Sequence, residues 1–271
     1  SPSRVILGAA AHLGIFVALI GAKVFGFTLA EACSIGIIGG ADGPMAIYTT
    51  MKLAPHLLPQ ISVAAYSYMA LMPLIQPPVM KLLTNKKERQ IMMKQPRYVS
   101  RLEKIVFPVV IAIIVNLFLP PVAPLITMLM LGNLMRECLC VDRLAETASN
   151  ALLNVVTMVL TVAIGSTMAA DTFLTADTLI IIGLGLVAFV FGTGSGVVCA
   201  KIMNKISGGK INPLIGSAGI ASVPIAARVS HLVGQQENKN NFLIMHAMGP
   251  NLAGVFGTAI SGGIMLALLG G

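Results

Sequence analysis

Charge is scarce in this chain of 271 residues: 10% of them are Asp, Glu, Lys or Arg, against roughly 25% in soluble globular domains. That scarcity excludes a disordered chain and most soluble enzymes. Tryptophan is absent and aromatics make up 5%, which leaves little for a base-stacking surface. The net charge of +8 does not restore a nucleic-acid reading. Lys86, Lys87, Arg89, Lys94, Arg97, Arg101 and Lys104 crowd into one segment, so the basicity is local. The four cysteines, Cys33, Cys138, Cys140 and Cys199, lack framework spacing, and Cys138-x-Cys140 has no second pair or nearby histidine. Reduced thiols are expected rather than a zinc site. No catalytic triad, zinc cluster or phosphate loop is visible. No leader with a cleavage site precedes the first apolar run, and the opening Ser1 reads as a truncated start.

What the chain does have is long uncharged runs. A bilayer core about 30 Å thick needs roughly 20 apolar residues as a helix. Nine segments are expected to enter the membrane: 5–22, 29–51, 59–80, 105–119, 121–135, 151–170, 178–200, 212–227 and 241–269. The prolines within 119–124 turn the chain between two of them. Apolar residues surround these segments rather than forming one stripe, and the alternation of a membrane β-barrel is missing. The expected fold is therefore all-α, a polytopic transmembrane helical protein in one integral-membrane domain, 1–271, of the cell membrane. Loop 81–104 carries eight Lys/Arg against Glu88 and Glu103, which places it in the cytoplasm. Loop 136–150, with Arg136 and Arg143, and loop 201–210, with Lys201, Lys205 and Lys210, fall on the same side by counting forward, and the loop 171–177, with Asp171 and Asp177, falls outside. Lipid headgroups or an acidic partner are a second use for the basic loop.

Two apolar segments cannot be plain helices. In Gly36-Ile-Ile-Gly-Gly-Ala-Asp-Gly-Pro44 the glycines weaken the helix, and Pro44 removes a donor and restricts Gly43. Asp42 sits in the middle. An intramembrane carboxylate is costly and points to function in a wet or protein-lined cavity; the alternative is an Asp that caps the following half-helix. Glu31 lies nearer the segment's start and is expected at an interface. The second segment, Asn212-Pro-Leu-Ile-Gly-Ser-Ala-Gly-Ile-Ala-Ser-Val-Pro224, combines two prolines, two glycines and small polar side chains, with Arg228 following. Small residues alone suit tight packing, but paired discontinuous helices in two halves of a chain point to a transporter-type site. Unwound carbonyls suit a cation, and half-helix N-termini suit an anion. Weak similarity between the segments suggests a possible inverted repeat. Tyr66 and Tyr68 stand in one apolar run, where one is expected to pack with its hydroxyl on backbone. Asn251 begins the last run as a cap or a ligand, and His12 and His246 read as buried, hydrogen-bonded histidines.

Particular motifs carry a resemblance. Gly39-Gly-Ala-Asp-Gly-Pro44, Val63-Ala-Ala-Tyr-Ser-Tyr-Met-Ala-Leu71, Leu74-Ile-Gln-Pro-Pro78, Gly132-Asn-Leu-Met-Arg-Glu137, the stretches 210–219 and 223–229, and Met245-His-Ala-Met-Gly-Pro-Asn-Leu-Ala-Gly254 occur in order. Together they resemble the C-terminal portion of the β subunits of sodium-pumping carboxybiotin decarboxylases, the oxaloacetate, methylmalonyl-CoA and glutaconyl-CoA group. The resemblance spans nearly the whole chain. It implies a membrane subunit that decarboxylates carboxybiotin brought by a biotin carrier/carboxyltransferase subunit and exports sodium. A small membrane γ subunit and a homo-oligomer are implied partners. By the same resemblance Asp42 is the carboxylate of the sodium path, and Asn212, Gly216 and Asn251 belong to that site. Tyr68 is tied to proton supply, and Arg228 suits anionic carboxybiotin. One departure stands out: where the family pattern has serine and then alanine, this chain has Ala221 and then Ser222. Ser222 is then a candidate ligand only if the unwound backbone turns it inward, since one helical residue rotates a side chain by about 100°. The other readings are a sodium-coupled secondary carrier of an organic anion and a non-catalytic assembly subunit, though the second leaves Asp42 without a role.

The loop charges yield a test of orientation. Lys87→Cys is expected to react with an impermeant thiol reagent in inverted vesicles and not in right-side-out ones; labelling only from the cell exterior would overturn the whole topology.

Overall fold

The computed structural model describes residues 2–94, 98–166 and 168–270, and for 2–4, 171 and 172 it describes the backbone alone. Arg97 of the basic loop and the side chain of Asp171 therefore lie outside the described residues. Every regular element among the described residues is helical. The chain runs through α1 (Pro2–Ala11), α2 (Leu13–Val24), α3 (Leu29–Gly36), α4 (Gly43–Leu53), α5 (Leu58–Leu83), the short α6 (Lys86–Arg89), α7 (Arg101–Phe118) and α8 (Ala123–Cys138). It continues through α9 (Asp142–Thr147), α10 (Leu153–Ser166), α11 (Ala170–Phe173), α12 (Ala176–Ile206), α13 (Ile225–Glu237) and α14 (Ile244–Leu269). 3-10 segments at Ile37–Gly40 and Pro213–Gly219 stand where α-helix gives out.

Among the described residues five stretches are long and apolar enough to cross a membrane: Val5–Val24, Pro55–Leu83, Asp142–Ser166, Ala176–Ile206 and Ile244–Leu269. Of the four other segments expected to enter the membrane, α7 opens on Arg101, Glu103 and Lys104 and α8 has 16 residues. The 29–51 and 212–227 stretches are divided by their 3-10 turns. The proline-rich turn expected at 119–124 is the 3-10 turn Pro120–Val122.

Local chemistry sets the helix ends. Thr28 starts α3 with a capping box: its Oγ1 accepts the Glu31 N–H at 3.3 Å and its N–H donates to Glu31 Oε2 at 2.8 Å. Glu31 Oε1 also meets His56 Nε2 at 2.8 Å, with the histidine largely exposed. Ser100 and Thr175 cap α7 and α12 by accepting the N–H of Glu103 and Thr178. The three prolines inside α5, Pro73, Pro77 and Pro78, each remove a donor and leave a carbonyl without its intrahelical partner.

The core lies around α12, which packs against α1, α2, α5 and the Pro213–Gly219 turn. Along its inward face it places Gly185, Ala188, Gly192, Gly196 and Ala200. Small side chains let backbones approach where there is no water to drive association. Gly196 and Gly216 meet backbone to backbone, such that a Cβ built on either would lie 2.2 Å or 2.0 Å from the other's carbonyl oxygen. By contrast α7 buries only Pro108, and α10 buries nothing. Val106, Val110, Ile113, Leu117, Val155, Val159 and Val162 stand exposed. Such apolar surface suits lipid or another subunit, not water.

The close approach of α2 to α12 predicts a stability effect. A Cβ at position 14 would fall 2.4 Å from the Ala188 carbonyl oxygen, and backbone on a packed helix cannot yield. Gly14→Ala is expected to destabilise the protein by about 1–3 kcal/mol, read as a lower thermal midpoint of the detergent-solubilised protein; an unchanged midpoint would show that this separation is not fixed.

Candidate ion-binding and catalytic site

The site begins where two helical paths stop. After α3, the Ile37–Gly40 turn ends on Ala41, whose φ of 57° is left-handed. That conformation costs a non-glycine residue about 1–3 kcal/mol, and it reverses the chain so that Asp42 can begin α4. Asp42 is the N-cap of α4: its Oδ1 accepts the Met45 N–H at 3.1 Å, and Pro44 occupies the first turn, where a missing N–H is harmless. The capping alternative and an intramembrane carboxylate are thus the same residue. Asp42 is half-buried and faces the positive end of α4.

The second path stops at Pro213–Gly219 and resumes at α13 after a cis Val223–Pro224 bond. The two stops touch. The Ala221 N–H donates to the Gly40 carbonyl at 2.8 Å. From α14, Asn251 reaches across both: its Nδ2 donates to the carbonyls of Ile220 (2.7 Å) and Ala218 (3.1 Å) and lies 3.4 Å from that of Ser222. Asn251 is fully buried, and its Oδ1 has no hydrogen-bond partner. A buried acceptor left unpaired costs about 1–3 kcal/mol, so this oxygen is one that a cation could use.

The other expected residues distribute around this crossing. Asn212 is fully buried and caps the Pro213–Gly219 turn, its Oδ1 accepting the Leu214 N–H at 3.0 Å. Its Nδ2 donates to the carbonyls of Arg89 and Ile91, both at 2.9 Å, and so fastens the basic loop. Gly216 packs on α12. Ser222 directs its hydroxyl to Met72 Sδ at 3.0 Å. Tyr68, one helical turn before Met72, is buried against Phe189 with ring centroids 5.7 Å apart, and its hydroxyl donates to the Ile182 carbonyl. Arg228 is exposed in the first turn of α13.

Several polar groups at this centre had no clear signal in the sequence. Gln76, fully buried, donates from Nε2 to the Ser217 carbonyl at 2.9 Å. Ser217 and Ser230 share a hydroxyl contact of 2.7 Å. His12 and His246, by contrast, are buried as the sequence predicts: His12 sits between α1 and α2 with Nδ1 2.6 Å from the Gly8 carbonyl and Nε2 2.9 Å from Thr258 Oγ1. Arg89 forms a fork on Glu237 at 2.8 Å. Nearby, burial pulls the His231 imidazole below its usual range, in keeping with its Nδ1 accepting the Leu243 N–H at 3.2 Å. The four cysteines are free thiols. Among the described residues no three His, Cys, Asp or Glu side chains gather to hold a metal.

Apolar spans around a crossing of two interrupted paths, with one carboxylate at the centre, define a polytopic membrane protein with an internal polar site. Comparison with known proteins makes the class specific. Residues 1–269 match the family described as the Na+-transporting oxaloacetate decarboxylase beta subunit, and the chain belongs to that family. It is 60% identical over its whole length to the glutaconyl-CoA decarboxylase subunit beta of Acidaminococcus fermentans, covering 72% of that protein. It is 59% identical, again over its whole length, to the methylmalonyl-CoA decarboxylase subunit beta of Propionigenium modestum, covering 69%. Over 98% of the chain it is 56% identical to the oxaloacetate decarboxylase beta chain of Klebsiella pneumoniae, covering 63%. The chain is thus a decarboxylase β subunit and a multi-pass protein of the cell membrane.

Asn251 holds the second interruption in shape. Asn251→Ala leaves the Ala218 and Ile220 carbonyls without a donor, at about 1–3 kcal/mol for each buried group. Faster hydrogen exchange across 213–224 is expected, together with a lower thermal midpoint; wild-type exchange there would show that the amide does not hold the segment.

Proposed function

We propose that this subunit decarboxylates carboxybiotin presented by a carrier protein and couples the reaction to sodium export, with Asp42 as the centre of the sodium path. The observation that carries the reading is the meeting of the two interrupted paths: Ala221 is bonded to Gly40, one carboxylate stands two residues from Gly40, and Asn251, whose Oδ1 is buried and unpaired, grips the Ala218 and Ile220 carbonyls beside Ala221. Sodium is a hard cation that takes oxygen ligands, and these residues offer charge from Asp42 and neutral oxygen from Asn251 and unwound backbone. Gly216 and Ser222 are the further candidates, and Asn212 contributes by holding the turn.

Decarboxylation breaks the bond between the biotin nitrogen and the carboxyl carbon, releases carbon dioxide and leaves a proton on that nitrogen. Arg228 would orient the anionic carboxylate, because a guanidinium is always charged and offers a fork that matches it; its exposure at the start of α13 favours contact with a substrate arriving from outside the core. Tyr68 is the candidate proton donor. Its hydroxyl would first leave the Ile182 carbonyl, a change that links proton delivery to movement between α5 and α12. Sodium bound at Asp42 favours the ionised carboxylate, so proton and cation compete for the same oxygen. That competition is a physical basis for coupling.

The basic loop 81–104 would face the carrier in the cytoplasm. A carboxyltransferase subunit, a small membrane γ subunit and further copies of this chain are the implied partners. The exposed apolar faces of α7 and α10 suit γ, lipid or another copy. A sodium-coupled secondary carrier would use the same crossing without chemistry; relatives named as decarboxylases favour the first reading.

Asp42→Asn keeps the cap's shape and removes the charge. In the assembled complex it is expected to abolish sodium-stimulated decarboxylation of free carboxybiotin with folding intact. Wild-type sodium affinity in that variant would overturn the assignment.

A further inference from the structure

The two tyrosines of α5 stand two residues apart, so their side chains leave the helix about 200° apart. They cannot both face Asp42. Tyr68 faces α12: it packs on Phe189, and its hydroxyl is taken by the Ile182 carbonyl. Tyr66 lies on the other side. Its ring covers the α-carbon of Gly43, the residue after Asp42, so closely that a Cβ there would lie 2.8 Å from Cζ and 3.1 Å from the hydroxyl oxygen. Glycine at 43 is what admits the ring. The carboxylate engages the Met45 N–H through one of its two oxygens, Oδ1. Tyr66 is 37% exposed and Asp42 half-buried.

Resting on the reading of Asp42 as a sodium ligand, we propose that the Tyr66 hydroxyl oxygen is a further ligand of the cation held at Asp42, a role Tyr68 does not share. A phenol suits the position. Its oxygen has lone pairs for a cation and its O–H can turn to a carboxylate or carbonyl when no cation is bound. It adds a donor oxygen without adding a second negative charge, which a mostly apolar surrounding would penalise. The tyrosine pair then divides its work by face, with Tyr66 on the ion and Tyr68 toward α12.

The test uses the assembled complex with the complete subunit and measures the rate of free carboxybiotin decarboxylation against sodium concentration. Tyr66→Phe leaves the ring on Gly43 and removes only the hydroxyl. It is expected to raise the half-saturating sodium concentration about tenfold, the size of one hydrogen bond to a charged group, with the KM for carboxybiotin unchanged. Gly43→Ala, which pushes the ring away while keeping the hydroxyl, is expected to shift the sodium dependence in the same direction. Tyr68→Phe is expected to slow turnover without moving the half-saturating sodium. A wild-type sodium response in Tyr66→Phe, or an equal shift in Tyr68→Phe, overturns the inference. Asp42→Asn separates the two levels of the argument: if it keeps the wild-type sodium response, the reading of Asp42 falls with the tyrosine's role; if it loses that response while Tyr66→Phe does not change it, only the tyrosine's role falls.

Discussion

Everything at the centre of this protein depends on one constraint. A backbone that leaves the α-helix in apolar surroundings must find partners for its freed N–H and C=O groups inside the protein. The stretches 37–42 and 213–224 both leave the helix, and each answers part of the other's need. Ala221 donates to Gly40. Side chains satisfy the remainder: Asp42 takes the Met45 N–H, Asn212 the Leu214 N–H, Gln76 reaches the Ser217 carbonyl, and Asn251 serves those of Ala218 and Ile220. The polar residues of the crossing therefore have a structural duty before any chemical one, and several polar atoms are left over. The Oδ1 of Asn251 and the Oε1 of Gln76 are buried without partners.

Those side chains reach the crossing because the helices around it approach closely. The backbone contact of Gly196 with Gly216 and the tight passage of Gly14 over Ala188 bring α12 against both interruptions. The same economy explains the contrast with α7 and α10, whose large apolar side chains face outward. Small residues line the inward surface of α12 where backbone must meet backbone, and large apolar ones lie where lipid or another subunit can cover them.

The polytopic helical fold and the segment around Asp42 were legible in the chain itself. Both are written locally: long uncharged runs set the spans, and Gly39, Gly40, Gly43 and Pro44 mark the first stop in a stretch that cannot hide a carboxylate cheaply. The motifs around them carried the family. What stayed hidden depends on tertiary contact. Gln76 looked like one polar residue among prolines, and nothing in sequence tells that Ser217 is its partner. Arg89 read as one charge in a basic loop, yet it pairs with Glu237, so part of that loop's charge holds α6 to α13 rather than facing a partner. Asn212 reads as a site residue by resemblance, whereas its amide grips the carbonyls of residues 89 and 91. What sets α7 and α8 apart from the long apolar spans is decided residue by residue: three charges open α7, and α8 has 16 residues.

Coupling between chemistry and transport needs the two ends of the site to sense one another, and differential binding to two arrangements is the only way a ligand can move an equilibrium. Here the physical link is short. Gly40 lies two residues before Asp42, its carbonyl holds the Ala221 N–H, and Ser222 follows with its hydroxyl on Met72, one turn along α5 from Tyr68. On the proposed reading, a cation at Asp42 would act on the same turn that carries Gly40. A shift there would reach the 221–222 backbone, which Asn251 also grips, through one hydrogen bond, and Ser222 would carry it to the face of α5 that holds Tyr68. The left-handed Ala41 makes that turn a strained one. Charge at Asp42, strain at Ala41 and the clasp at Ala221 thus lie on one continuous path between the proposed ion site and the tyrosine.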